Sequence, residues 1–230
     1  MARRRRDKKK DETLVDITEA RESAVDWIER NQHIVLSVIL GLVFIVAGWF
    51  MYQNMYKIPR DISAQEQMFR AQFQFERDSF ALALENPGGG YPGFLGIIDQ
   101  YRGTTAANLA RYYAGISYIN LGRYEDAIDH LRSFSPNEEV TSIMKHGALG
   151  DAYAELGDFD NAIRSYRRAV RAGDNPFLTP YFMQKYGLAL IHEGRSSDAI
   201  SVFEDLKREY PNSQESADAD RFIARARAAG

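Results

Sequence analysis

Cysteine is absent from the 230 residues. Disulfides, zinc–thiolate sites, a catalytic thiol and a lipidated N-terminal cysteine are therefore excluded. The compartment stays open, because extracytoplasmic proteins also do without disulfides. Histidine is scarce: His33, His130, His146 and His192 show no metal-ligand spacing, so neither a metal nor a cofactor is expected. An excess of basic charge is missing too. Lys and Arg number 29 against 32 Asp and Glu, a net charge of −3, which argues against a dedicated nucleic-acid binder. There is no G-x-S-x-G nucleophile elbow. Gly88-Gly89-Gly90 has no following Lys-Ser/Thr pair, so it reads as an interhelical loop and not a phosphate cradle. Asp151 and Glu155 lie four apart. Paired carboxylates serve acid–base chemistry in some enzymes, but at this helical spacing they read as a polar groove wall. No enzyme is expected.

Charge is also missing between Arg30 and Lys57. Within that window Ile34 to Met51 reads IVLSVILGLVFIVAGWFM, which as a helix extends about 27 Å, close to the hydrocarbon thickness of a bilayer. Ser37, Gly41 and Gly48 are its only weakly apolar members apart from alanine. Trp49, Tyr52 and Tyr56 gather at the C-terminal end as interfacial aromatics do, and Trp27 marks the other side. Val46-Ala47-Gly48 is a weak cleavage signal, but the apolar run exceeds a signal h-region and a long polar stretch precedes it. The segment 34–52 therefore reads as an uncleaved signal anchor. Arg3, Arg4, Arg5, Arg6, Lys8, Lys9 and Lys10, with Arg21 and Arg30, make a basic tail over 1–33. The tail predicts a cytoplasmic N-terminus, with 53–230 on the far side of the membrane. Leu14, Ile17, Ala20, Ala24, Trp27 and Ile28 have helical spacing and predict a helical lead-in to the anchor. Ser37-x3-Gly41 is a single small-residue pair and a weak packing signal.

After a linker over 53–61, the domain 62–230 repeats itself. AGISYINLGRYEDAI (114–128), LGDAYAELGDFDNAI (149–163) and YGLALIHEGRSSDAI (186–200) align without gaps. Gly115, Gly150 and Gly187 correspond, as do Gly122, Gly157 and Gly194, and Ala127, Ala162 and Ala199. Leu131, Tyr166 and Phe203 each follow the alanine by four. In a helix–turn–helix unit the first glycine lets neighbours approach and the second ends the first helix in a left-handed conformation. The alanine sits where the two helices come nearest. Ser135-Pro136-Asn137-Glu138 predicts a capping box with proline at the first helical position, and Asp174-Asn175-Pro176 a loop. In the third repeat Leu190 replaces the tyrosine of Tyr118 and Tyr153, and Ser196 replaces the aromatic of Tyr124 and Phe159. Flanking segments look like degenerate copies, with a tyrosine ending a helix and Ser or Thr beginning the next in 97–110 and 206–219. Residues 62–86 predict one longer helix with Phe69, Phe73, Phe80 and Leu84 on one face. A final helix over about 213–228, with Arg221, Arg225 and Arg227, predicts a polar cap.

The repeat resembles the tetratricopeptide repeat, most clearly over about 105–211. The resemblance implies an α-solenoid, and with the apolar segment read above (Ile34, Gly41, Gly48, Trp49 and Tyr52 among its residues) the chain is expected to be an all-α protein, a single N-terminal transmembrane helix followed by that solenoid. In such domains the first helices face inward. The same repeat positions here give a partner-binding groove of Leu109, Tyr112, Ile116, Asn120, Met144, Asp151, Glu155, Tyr181, Gln184 and Leu188. A chaperone-holding carboxylate clamp is not among them, since Tyr112 and Ile116 occupy the corresponding positions. Taken whole, the chain resembles the ancillary SecYEG translocon subunit family. That resemblance implies a bacterial inner-membrane protein with a periplasmic repeat domain, and as partners the translocon and a membrane-anchored periplasmic chaperone. Outer-membrane assembly lipoproteins would need the absent cysteine. Cell-envelope coordination scaffolds and organelle-surface repeat receptors are the alternatives.

Overall fold

The structure is a computed structural model and describes residues 25–229. The basic tail and most of the helical lead-in lie outside the described residues. The chain divides into two compact units, one ending at Pro59 and one beginning at Arg60.

In the first unit residues 25–30 are helical, and after a turn at Asn31 comes α1 (Gln32–Tyr52). Its 21 residues span about 31 Å, and none is buried. A helix apolar on every side has no face to give to water. The Ser37 hydroxyl donates to the His33 carbonyl at 2.7 Å, so this side chain's polar group is satisfied within the helix. Among the described residues, only the helical run beginning at Gln32 is long and apolar enough to cross a membrane. A wide π turn over Gln53–Lys57 follows, and Tyr52 and Tyr56 stack at 5.5 Å.

The boundary between the units falls within the first turn of α2 (Ile58–Phe75), and the second unit continues with α3 (Phe80–Glu85) and α4 (Phe94–Gln100). One helix over 62–86 is not found. After Phe75 the chain turns back, with Ser79 N–H donating to the Gln74 carbonyl and Asp78 at φ 56°. The turn lets the Phe75 ring meet Phe80 at 5.4 Å, Phe94 at 6.1 Å and Tyr113 at 5.0 Å, which a straight helix could not do. The buried face of α2 is Ala64, Met68 and Ala71, while Phe69 stays 61% exposed and Phe73 39%. The glycine loop expected at 87–93 is present. Gly93 is there because a Cβ would collide with the Leu84 backbone.

Three helical hairpins follow: α5 (Thr105–Asn120) with α6 (Tyr124–Ser133), α7 (Glu139–Glu155) with α8 (Phe159–Arg171), and α9 (Leu178–His192) with α10 (Ser196–Glu209). They are followed by α11 (Gln214–Ala229). Each first helix ends in the same motif. Gly122, Gly157 and Gly194 have φ of 72°, 76° and 69°. The next residue's N–H, from Arg123, Asp158 or Arg195, reaches back 2.9 Å to Tyr118, Tyr153 or Leu190. The Leu190 replacement leaves the motif intact because the acceptor is a backbone carbonyl. Ala127, Ala162 and Ala199 are fully buried. A Cβ on Gly115, Gly150 or Gly187 would strike Leu131, Tyr166 or Phe203. The large residue after each alanine therefore packs into the space opened by the glycine of its own repeat.

Starts of helices also follow the sequence, with one correction. The Thr104 hydroxyl caps α5 by accepting from Ala107 N–H at 3.1 Å, and the Asp158 carboxylate caps α8 by accepting from Asn161 N–H at 3.1 Å. Each cap is worth about 1 kcal/mol. The capping box of α7, however, is Glu138 with Thr141, and Pro136 lies ahead of the helix. Ser135 cannot serve as the cap. The Asn108 side chain already holds its N–H at 2.9 Å and its carbonyl at 2.7 Å, tying it to α5.

Within this unit α5, α7, α9 and α11 touch in succession, whereas among the described residues α6, α8 and α10 do not touch one another. A stack closer on one side than the other curves toward the close side. The first helices therefore line the inner face and the second helices the outer one.

Candidate protein-interaction surface

Asp151 organises the inner face. Its Oδ1 accepts from Tyr166 Oη at 2.7 Å and from Lys185 Nζ at 2.7 Å, joining α7, α8 and α9. Both charged side chains are only 29% exposed. Burial acts to lower the Lys185 pKa, but the Asp151 charge and hydrogen bond, with help from Tyr181, outweigh it and the pKa rises. Burial, then Asp151, pushes the Tyr166 phenol far upward, so it stays a donor. Lys185 Nζ also lies 4.8 Å from the centre of the Tyr181 ring.

Tyr181, Lys185 and Leu188 fall at i, i+4 and i+7 on α9 and form one stripe. A cleft of about 830 Å³ opens beside Tyr181, lined also by Phe177, Leu178, Tyr210 and Pro211. Phe177 is 80% exposed. A second cleft of about 560 Å³ is lined by Tyr166, Lys185 and Leu188 together with Arg225 of α11. Solvated apolar clefts flanking a fixed ion pair suit a segment of another protein, with large side chains filling the clefts.

The other expected groove residues distribute unevenly. Leu109, Tyr112 and Ile116 of α5 are half-buried and pack on the core beneath α2 to α7. Tyr112 lies against Phe134 at 5.5 Å between ring centres, and its pKa is pushed up to about 12 by burial, then by Tyr113 and Asp151. It is as much core as surface. Asn120 is exposed and donates to its own helix at the Ile116 carbonyl. Glu155 is exposed and accepts from Tyr124 Oη at 3.3 Å. Met144 and Gln184 are half-buried. On α1, Ile34, Trp49 and Tyr52 are exposed, and Gly41 and Gly48 face open space. Sequence reasoning missed Lys185 because its column, Tyr113 and Ala148 in the earlier repeats, has no shared chemistry. It missed Gly147 for the same reason: a Cβ there would collide with Phe182 of the next hairpin, while Tyr112 and Gln184 fill that column.

Models of the tetratricopeptide repeat match residues 109–135 and 148–214. The hairpins are tetratricopeptide repeats. The first match runs from Leu109 within α5 through α6 to Ser135, and the second from Ala148 in the second half of α7 through α8, α9 and α10 to the first residue of α11. No curated protein matches the chain. Tetratricopeptide repeats mediate protein–protein interaction, and their extended inner faces are binding surfaces.

Proposed function

We propose that this protein is a membrane-anchored docking scaffold, held by α1, whose repeats hold segments of other proteins on the Tyr181–Lys185–Leu188 stripe. In this reading α1 is an uncleaved anchor, the N-terminus is cytoplasmic, and the repeats stand in a bacterial periplasm. The scaffold serves secreted proteins beside the translocon, with the translocon and a membrane-anchored periplasmic chaperone as its partners. The stripe between its two clefts is the observation that carries the docking role. The apolar α1 supports anchoring, and the order of basic tail, anchor and repeats supports the translocon assignment.

The test is crosslinking in native membranes, purification in mild detergent and identification of what copurifies. Translocon components are expected from the full chain, and their recovery should fall several-fold with Tyr181→Ala/Leu188→Ala. Recovery of cell-envelope assembly factors in their place would move the scaffold to that role. A reporter fused after Gly230 should be active only outside the cytoplasm, and activity inside would reverse the topology.

A further inference from the structure

From Arg60 onward the chain is acidic, with 19 Lys and Arg against 24 Asp and Glu. Its basic charge is not evenly spread. Four of those cations, Arg164, Arg167, Arg168 and Arg171, fall within eight residues of α8 that contain no acid. Their spacing of i, i+3, i+4 and i+7 sets them on one side of the helix along about 10 Å. All four are exposed, while Ala162, Ile163, Tyr166 and Ala169 on the opposite side enter the core. Arg164 donates to Asn161 Oδ1 at 2.7 Å. Arg167, Arg168 and Arg171 have no ion-pair partner among the described residues, although acidic residues elsewhere on the domain pair repeatedly with Arg. Arg168 also reaches His146, whose pKa is lowered by burial and then by Lys145 and Arg168, while at the other end of the stripe the Arg164 charge reaches Asp158.

The geometry points to this stripe as a docking surface for the anionic headgroups of the bilayer that holds α1. Three features select a lipid surface as the occupant. The stripe lies on a second helix, on the outer and therefore convex side, where an approaching plane meets the guanidinium groups together. None of the four arginines lines the two clefts beside the Tyr181–Lys185–Leu188 stripe, which would enclose a peptide. Guanidinium groups also donate in pairs to phosphate oxygens, and tethering by α1 replaces free encounter with a high local concentration of headgroups. The proposal rests on the reading of α1 as a membrane anchor.

The test uses the full chain in nanodiscs of phosphatidylcholine, or of phosphatidylcholine with phosphatidylglycerol, each carrying a nitroxide headgroup lipid as quencher. The chain has no cysteine, so Asp160→Cys places a single fluorophore one turn before Arg164. Quenching is expected in the anionic discs and not in the neutral ones, and it should fade at about 1 M salt, where the screening length is about 3 Å. Arg164→Gln/Arg167→Gln/Arg168→Gln/Arg171→Gln should reduce it several-fold, whereas the matching fourfold Arg→Lys variant should retain most of it. Unchanged circular dichroism in both variants separates docking from folding. Co-elution with neutral discs reports the anchor independently of the probe. Quenching indifferent to lipid charge, or to the four Gln substitutions, would overturn the proposal. So would capture of polyglutamate in neutral discs without quenching in anionic ones, which would assign the stripe to an acidic protein segment.

Discussion

Asp151 and Lys185 meet across the boundary between the second and third repeats, with Nζ 2.7 Å from Oδ1 and each side chain 29% exposed. The pair is fixed from a third direction by Tyr166. Asp151→Asn leaves an ammonium partly buried without its counter-charge and should cost about 1–3 kcal/mol. Urea unfolding of the full chain in mild detergent, followed by tyrosine fluorescence, measures this. A cycle with Lys185→Met should show that the two losses are less than additive. Full additivity would mean that the pair is not coupled.

The two glycine columns predict different kinds of damage. Gly157→Ala meets open space but must hold φ at 76°, which costs about 1–2 kcal/mol. Gly150→Ala has ordinary helical geometry but drives a methyl into the Tyr166 ring, which is 4% exposed and hydrogen-bonded. Overpacking there should cost about 1–3 kcal/mol. Tyr166→Leu should partly rescue Gly150→Ala and leave Gly157→Ala unimproved, as read from the urea midpoints of the four variants.

Ala127→Phe and Ala162→Phe place a ring where the two helices of a repeat come closest and no surface is exposed. Each should lower the melting temperature and pass the disturbance to the adjoining repeat. Unchanged thermal melts of both would show that the alanine column is not the hairpin contact.

Acid should weaken the repeat domain. Burial lowers the pKa of both His130 and His146 from 6.5, against nearby acids for His130 and with Lys145 and Arg168 adding to it for His146. The unfolded chain then binds more protons than the folded one near and below pH 6.5. Stability should hold above that value and fall as pH drops through the lower folded pKa values. Urea midpoints at neutral and mildly acidic pH should differ, and His130→Asn/His146→Asn should flatten the difference.

Anchoring depends on the middle of α1 staying uncharged. Val43→Arg puts a guanidinium near its centre, at an insertion cost of about 2.5–3.5 kcal/mol. The variant should shift from the carbonate-resistant membrane fraction toward the soluble one. Undiminished membrane retention would argue against α1 as the sole anchor.

The repeated columns were legible in the sequence because each repeat places the same physical demand on the same position. A left-handed turn needs glycine at 122, 157 and 194, and a close helix crossing needs alanine at 127, 162 and 199. The break after Phe75 was not legible. Phe69 and Phe73 continue a helical pattern, and only the meeting of Phe75 with Phe80, Phe94 and Tyr113 explains why the chain turns there. Ser135 likewise has the residue type and spacing of a cap, but Asn108, 27 residues earlier, holds its backbone.

The sequence by itself determined the helical class, the repeat register, the turn glycines and the one long apolar helix, because periodicity and backbone sterics act over a few residues. Tertiary structure alone decided that Lys185 completes a site with Asp151 and Tyr166, and that Tyr112 is partly core. The site depends on groups 15 and 34 residues apart reaching hydrogen-bond distance, and the burial of Tyr112 on its packing against Phe134. No local pattern encodes such a distance, because it is set by how one hairpin packs on the next.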